Sequence, residues 1–313
     1  MNENPLVSVI INCYNGEEFL RETIESVINQ TYSNWELIFW DNQSTDSTAE
    51  IIKGYHDDRI RYFYAPTHTP LGEARNLAMK QVAGKYLAFL DSDDIWYPDF
   101  LKTGIDILEE EVACAGFYSN FHYYNEKGIL CNFNNNKERK FYDFRLLLLE
   151  YKMAMSGSII RSDVVRRNGI VFNKKYNLIE DYDFFLAISR KGLWIYHPEP
   201  LVYYRIHLGQ TSSRLIEQWA IEYKCIYDEL YSNFVKKGLL EKADLNVLHN
   251  MYCEAKFGSI IRKGQRSDIL QLMKEETSCP FRFWIKCIIF FLLGSNFYIV
   301  INYFRKLKGS HNF

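Results

Sequence analysis

Several signatures that would have placed this chain at once are missing. Its seven cysteines, at 13, 114, 131, 225, 253, 279 and 287, include no Cys-x-x-Cys pair. An odd, scattered set reads as reduced thiols in a cytosolic protein, and it offers no zinc-ligand spacing. Neither sign of charge dominates: 37 Lys and Arg face 39 Asp and Glu, a formal net charge of -2. That balance gives no electrostatic reason to expect nucleic acid. The amino terminus, MNENPLVSVI, lacks the basic segment and long apolar run of a secretory signal. Neither a G-x-x-x-x-G-K-[ST] loop nor a G-x-G-x-x-G turn is present. There is no internal repeat, and the one biased patch, NFNNNKERK at 132–140, reads as a polar loop.

What is present is a chain of 313 residues, 48% hydrophobic, long enough for one large domain or two moderate ones. LVSVIINCY (6–14) is an apolar run rich in β-branched residues, the mark of a strand buried on both faces of a parallel sheet. In the segment after it, Phe19, Leu20, Ile24, Val27 and Ile28 fall on one helical face. WELIFWD (35–41), RIRYFYAP (59–66) and KYLAFLD (85–91) read as further strands, separated by helical segments. Gly84 is expected to stop the helix that begins near Leu71, and Pro98 to open the next one. This alternation predicts an α/β fold, a mostly parallel sheet flanked by helices. Residues from about 112 to 210 mix strands and helices, with a hairpin turn at 125–128 and an acid-led helix at 180–192. Beyond about 214 the pattern is helical, with a boundary expected near 212.

Ligands of such sheets bind at the carboxyl ends of the strands. Two predicted strand ends carry acids there: Asp41, and the trio Asp91, Asp93 and Asp94. In extended chain, Asp91 and Asp93 project to the same side and together can grip a hard divalent cation. An acidic start to the following helix, involving Asp94 and Asp99, explains the same residues without a metal. Asp41 could accept from a ribose hydroxyl or a base N–H, and Arg75 could neutralise a diphosphate.

Taken in order, VSVIINCYN, WELIFWDNQSTDST and GEARNLAMKQVAGKYLAFLDSDDIWYPDFL resemble the donor-binding half of family 2 glycosyltransferases. These are inverting, bacterial-type enzymes with the Rossmann-like GT-A fold. The resemblance covers about residues 5–210. It implies a GT-A domain over 1–212, its nucleotide-sugar side at about 5–112 and its acceptor side at about 113–212, followed by a helical region, 213–313. Asn12, Tyr14 and Asp41 would line the nucleoside pocket, and Arg75 and Asp91 would approach the nucleotide. Asp91 and Asp93 would hold Mn2+ or Mg2+, with His207 of Tyr204-Arg205-Ile206-His207 completing the metal or diphosphate site. Asp181 of the Glu180-Asp181 pair would be the catalytic base. Two departures touch the nucleoside pocket: Asn12 stands where members commonly have Pro, and Asp41-Asn42-Gln43-Ser44 where they commonly read Asp-Asp-Gly-Ser.

The implied reaction moves a sugar from a nucleotide-diphosphate donor, UDP favoured, to a hydroxyl of a glycan or lipid-linked acceptor in bacterial surface polysaccharide synthesis. The competing readings are a scaffold that binds nucleotide-sugar without catalysis and a metal-dependent nucleotidyltransferase. The segment RFWIKCIIFFLLGSNFYIVINYFRKLKG (282–309) mixes aliphatic, aromatic and basic residues and is broken by Gly294, Ser295 and Asn296. That mixture favours attachment to a membrane surface, on the cytoplasmic face, with a buried core helix as the main alternative and a span after it.

Overall fold

The computed structural model describes residues 4–207, 209–210, 216–263, 266–276, 280, 283–288 and 290–291. The chain divides into two compact units, Met1–Leu208 and Gly209–Phe313.

The first unit is built on one sheet. Its strands are β1 (Val7–Cys13), β2 (Trp35–Asp41), β3 (Ile60–Tyr64), β4 (Tyr86–Phe89), β5 (Ile95–Trp96), β6 (Cys114–Asn125), β7 (Gly128–Asn132), β8 (Lys140–Tyr142), β9 (Ser158–Arg161) and β10 (Leu193–Arg205). They lie in the order β3-β2-β1-β4-β9-β6-β10-β5, with β7 beside β6 and β8 beside β10. The first four strands run parallel. β9 enters antiparallel between β4 and β6, and β10 then runs parallel to β6. The helices are α1 (Leu20–Ile28), α2 (Thr48–Lys53), α3 (Leu71–Met79), α4 (Phe100–Glu110), α5 (Phe144–Leu149), α6 (Ser162–Asn168) and α7 (Glu180–Ser189).

β1 shows why this pattern makes a two-sided sheet. Side chains alternate along a strand. Val7, Val9 and Ile11 join Leu20, Ile24 and Val27 of α1 and Leu101, Ile105 and Leu108 of α4 in one core cluster. The opposite face holds a second aromatic core, where Phe89 of β4 meets Phe172 and Phe184 at 5.5 and 6.1 Å between ring centroids. Each such buried ring contributes roughly 1.5–3 kcal/mol.

Three local expectations shift. α3 ends at Met79, and Gly84 caps nothing. A Cβ there would lie 2.7 Å from the Leu6 carbonyl oxygen and the Ser8 nitrogen, so the glycine serves a close approach to β1. α4 starts at Phe100, which leaves Pro98 outside it and Asp99 at its cap. Phe19, expected on the helical face of α1, lies just before that helix; elsewhere a 3-10 turn at Met155–Gly157 leads straight into β9. The hairpin turn does fall between β6 and β7, with Gly128 at φ +105°.

The second unit holds α8 (Ile216–Leu230), α9 (Asn246–Lys263) and α10 (Arg266–Glu275). Ile226, Leu230, Leu248, Phe257 and Leu272 are buried in it. So are Phe283, Cys287 and Phe290, at helical spacing, with the rings of Phe283 and Phe290 at 5.8 and 6.0 Å from Phe257. The front of the segment expected at a membrane thus buries an apolar face inside this unit. Most of that segment, from 292 on, lies outside the described residues. Among the described residues no helix is long and apolar enough to cross a membrane.

Candidate active site

β4 ends at Phe89, and the chain turns at once through Asp91, Ser92, Asp93 and Asp94 at the carboxyl end of the sheet. Asp94 is the buried member, 2% exposed. Its carboxylate accepts from the Ser156 hydroxyl at 2.5 Å and from the Arg205 backbone N–H at 2.9 Å. Burial, with the nearby charges of Asp93 and Asp91, pushes its pKa well above the usual carboxylate range. Asp94 is therefore a clasp between this loop, the turn before β9 and the end of β10, and it caps no helix. Arg205 completes the clasp, donating from Nε to the Asp93 carbonyl and from a terminal nitrogen to Glu22.

Asp91 and Asp93 remain partly open, with side chains 36% and 29% exposed. His207 Nε2 lies 2.9 Å from Asp93 Oδ2. Its ring packs edge-on against Phe19, 4.8 Å away. Phe19 was expected on the core face of α1. It sits just before that helix and shores up His207 and, at 4.4 Å, the Arg205 guanidinium. Two carboxylates and an imidazole form a donor set that suits Mn2+ or Mg2+, the imidazole favouring manganese. The Asp91 titration is raised by burial and by the charge of Asp93, with Arg75 opposing, and a cation there would relieve that repulsion.

Arg75, on α3, is 3% exposed. One arm of its guanidinium donates to Asp91 Oδ1 at 2.7 Å and the other to Glu180 Oε1 at 2.9 Å. The arginine expected near the nucleotide is a buried strut between the DxD loop and the first turn of α7. Asp181, next along that turn, accepts from the Tyr182 backbone N–H at 2.7 Å. Burial pushes its pKa up to about 6, Arg75 opposing and Asp91 adding to the rise. Glu180 is pushed up to about 8 by burial, again against Arg75. The structure thus gathers Asp91, Asp93, Arg75, Glu180, Asp181 and His207 around the ends of β4 and β10 and the start of α7.

The proposed nucleoside residues lie at the ends of β1 and β2. Tyr14 is exposed, and Asp41 is wholly buried. Asp41 accepts from the Ser44 N–H and from the Tyr62 hydroxyl, both at 2.8 Å. Both amide atoms of Asn12 are buried and have no hydrogen-bond partner among the described residues. The two loops are stitched together: Thr45 N donates to Asn15 Oδ1 at 2.8 Å and Glu17 N to Asp46 Oδ2 at 3.0 Å. Asn15 and Gln43 hold positive φ of 53° and 73°, strain that clusters at functional loops. The second departure, Asn42, has a local reason. Its Nδ2 donates to the Thr69 carbonyl at 2.7 Å while its Oδ1 accepts from Thr69 N and Oγ1 at 3.2 Å. An aspartate cannot donate that first bond. The loop so held sets His68 against Tyr14, with ring centroids 4.3 Å apart.

A model described as glycosyl transferase family 2 matches residues 8–168. An uncharacterized glycosyltransferase of Haemophilus influenzae is 34% identical over 225 residues, covering 68% of this chain and 69% of its own. The chain belongs to glycosyl transferase family 2. Another relative, the Escherichia coli UDP-Glc:alpha-D-GlcNAc-diphosphoundecaprenol beta-1,3-glucosyltransferase WfaP, is 33% identical over 216 residues, 68% of this chain and 82% of that protein. The putative teichuronic acid biosynthesis glycosyltransferase TuaG of Bacillus subtilis is 31% identical over 216 residues, 68% and 83% of the two chains. Among solved structures, S. aureus TarS 1-349 in complex with UDP-GlcNAc matches with a TM-score of 0.66 at 19% identity, covering 86% of this chain and 78% of that one. That likeness shows the shared GT-A fold.

Proposed function

We propose that this family 2 glycosyltransferase moves a sugar from a UDP-sugar to a hydroxyl of a lipid-linked or glycan acceptor, with inversion, using a divalent cation. The observation that carries the reading is the placement of Asp181. It follows Glu180, which Arg75 ties to Asp91, so a carboxyl raised to about 6 lies one residue from the strut to the candidate cation site, which supports its role as the base. Asp181 accepts the acceptor's hydroxyl proton as that oxygen bonds to the anomeric carbon. On the opposite face the bond from that carbon to the phosphate oxygen breaks, and the nucleoside diphosphate leaves with the electron pair. A single displacement of this kind inverts the centre. Asp91, Asp93 and His207 would hold the cation, which when bound supplies positive charge for the departing diphosphate. Glu180 holds Arg75 in place, and Arg75 holds Asp91.

The UDP preference rests on the name of the E. coli relative and on the nucleoside side of the site. There Tyr14 is open to a base, and the buried Asn12 amide has no hydrogen-bond partner among the described residues. The polyprenyl-linked acceptor in that relative's name, and teichuronic acid in that of TuaG, support work in bacterial surface polysaccharide synthesis; its location at the cytoplasmic face of the membrane is part of the same proposal.

Titration of the purified protein with UDP, dTDP and GDP, with and without Mn2+, tests the donor side. UDP binding that requires metal and is lost in Asp93→Ala supports the proposal. Equal binding without metal, or none under any condition, refutes it. Release of labelled sugar from UDP-sugars, abolished by Asp181→Asn with UDP binding kept, tests the chemistry.

A further inference from the structure

The helical unit holds a cluster of donors that the transfer reaction does not use. His249 and Cys253 stand one turn apart on α9, and Glu276 follows directly on α10. Their nearest donor atoms, an imidazole nitrogen, a thiol sulfur and a carboxylate oxygen, all lie within 4.8 Å of one another. His249 Nε2 is 3.6 Å from Cys253 Sγ and 3.6 Å from Glu276 Oε2. Bond lengths to zinc of about 2.0–2.3 Å give a tetrahedral coordination sphere edges of roughly 3.3–3.6 Å. Two of the three separations, at 3.6 Å, already match that figure.

The surroundings suit a metal too. Cys253 is wholly buried, and the side chains of His249 and Glu276 are only 15% and 14% exposed. Tyr252 packs beside His249, with ring centroids 6.1 Å apart, and its hydroxyl accepts from Lys256 Nζ at 3.1 Å.

We infer that His249, Cys253 and Glu276 form a binding site for a zinc-like divalent transition metal, which ties the end of α10 to α9, these being the three ligands among the described residues. Thiolate and imidazole donors select zinc or cobalt over magnesium and manganese, so this site is chemically distinct from the one at Asp91 and Asp93. A thiolate, a carboxylate and a neutral imidazole balance the charge of a divalent ion.

The test is Co2+ titration of the full chain carrying Asp93→Ala, followed by absorption. The expected result is one equivalent bound, with tetrahedral d–d bands and a thiolate-to-cobalt charge-transfer band, all displaced by Zn2+. Cys253→Ser removes the charge-transfer band, and Glu276→Gln weakens cobalt binding at least tenfold. Absence of any charge-transfer band overturns the proposal, as does a band that survives Cys253→Ser. Should Cys253→Ser fail to fold, Glu276→Gln decides alone: an unchanged spectrum and affinity overturn the site. None of these readouts depends on sugar transfer.

Discussion

Replacing Arg75 with methionine probes stability and chemistry at once. The guanidinium is 3% exposed and bonds to Glu180, which is 4% exposed, and to Asp91, whose side chain is 36% exposed. Breaking a buried ion pair by removing one partner costs about 3–5 kcal/mol. Two features set the expectation at the lower end. Asp91 can rehydrate, and Glu180, raised to about 8, already holds its proton near neutral pH, so removing Arg75 strands little buried charge there. A loss of about 3 kcal/mol lowers the thermal midpoint of a domain this size by roughly 6–12 °C. Arg75→Lys recovers only part of this, because one ammonium cannot span both carboxylates as the planar fork does. The chemistry shifts with it. Asp181 must be ionised to act as base, so activity in the wild type rises as pH climbs through about 6. Arg75 holds that value down, and in its absence the acid limb of the rate profile moves to higher pH. Thermal melts and transfer rates across pH, for both variants, check the two effects. A methionine variant that loses under about 1 kcal/mol, or keeps the wild-type acid limb, refutes the strut.

Asp93→Ala should abolish metal-stimulated transfer while leaving the melting midpoint nearly unchanged, since that side chain is 29% exposed; activity with and without Mn2+, beside a melt, measures both. Glu180→Gln should flatten the pH dependence of stability. The Glu180 carboxyl is raised from 4.5 to about 8, so the folded state holds its proton more tightly, and its contribution, full below 4.5, is lost as pH rises through about 8. Urea unfolding at several pH values reads that slope. Gly84→Ala should cost roughly 1–3 kcal/mol, because the new methyl meets backbone atoms that cannot give way, as seen in a chemical denaturation curve. Asn42→Asp should cost about 1–3 kcal/mol by setting a carboxylate against the Thr69 carbonyl, and amide exchange in 65–70 should rise with it.

The strands of the donor half were legible because parallel strands covered on both faces read as unbroken apolar runs, and β2 falls on the residues its pattern marked, Trp35–Asp41. β9 was not legible, because its four residues carry no period long enough to separate strand from turn, and only pairing with β4 and β6 makes it one. Asp91 and Asp93 were visible as a local pair at a strand end. That Asp94 turns inward to the hydroxyl of Ser156 was not visible, for nothing in its spelling distinguishes it from its neighbours. Phe19 was assigned to a core by periodicity, and tertiary packing put it under His207 instead. Likewise, His249 and Cys253 show only a one-turn spacing until the end of α10 brings Glu276 to them.

Sequence alone determined the layered α/β core, the acids at the strand ends and the family, because these depend on local periodicity and on motifs contiguous in the chain. Tertiary structure decided which charges meet. Arg75, Asp91 and Glu180 come from three separate elements. Their partnership depends on distance in space and on exclusion of water, and neither is encoded in the neighbours of any one of them.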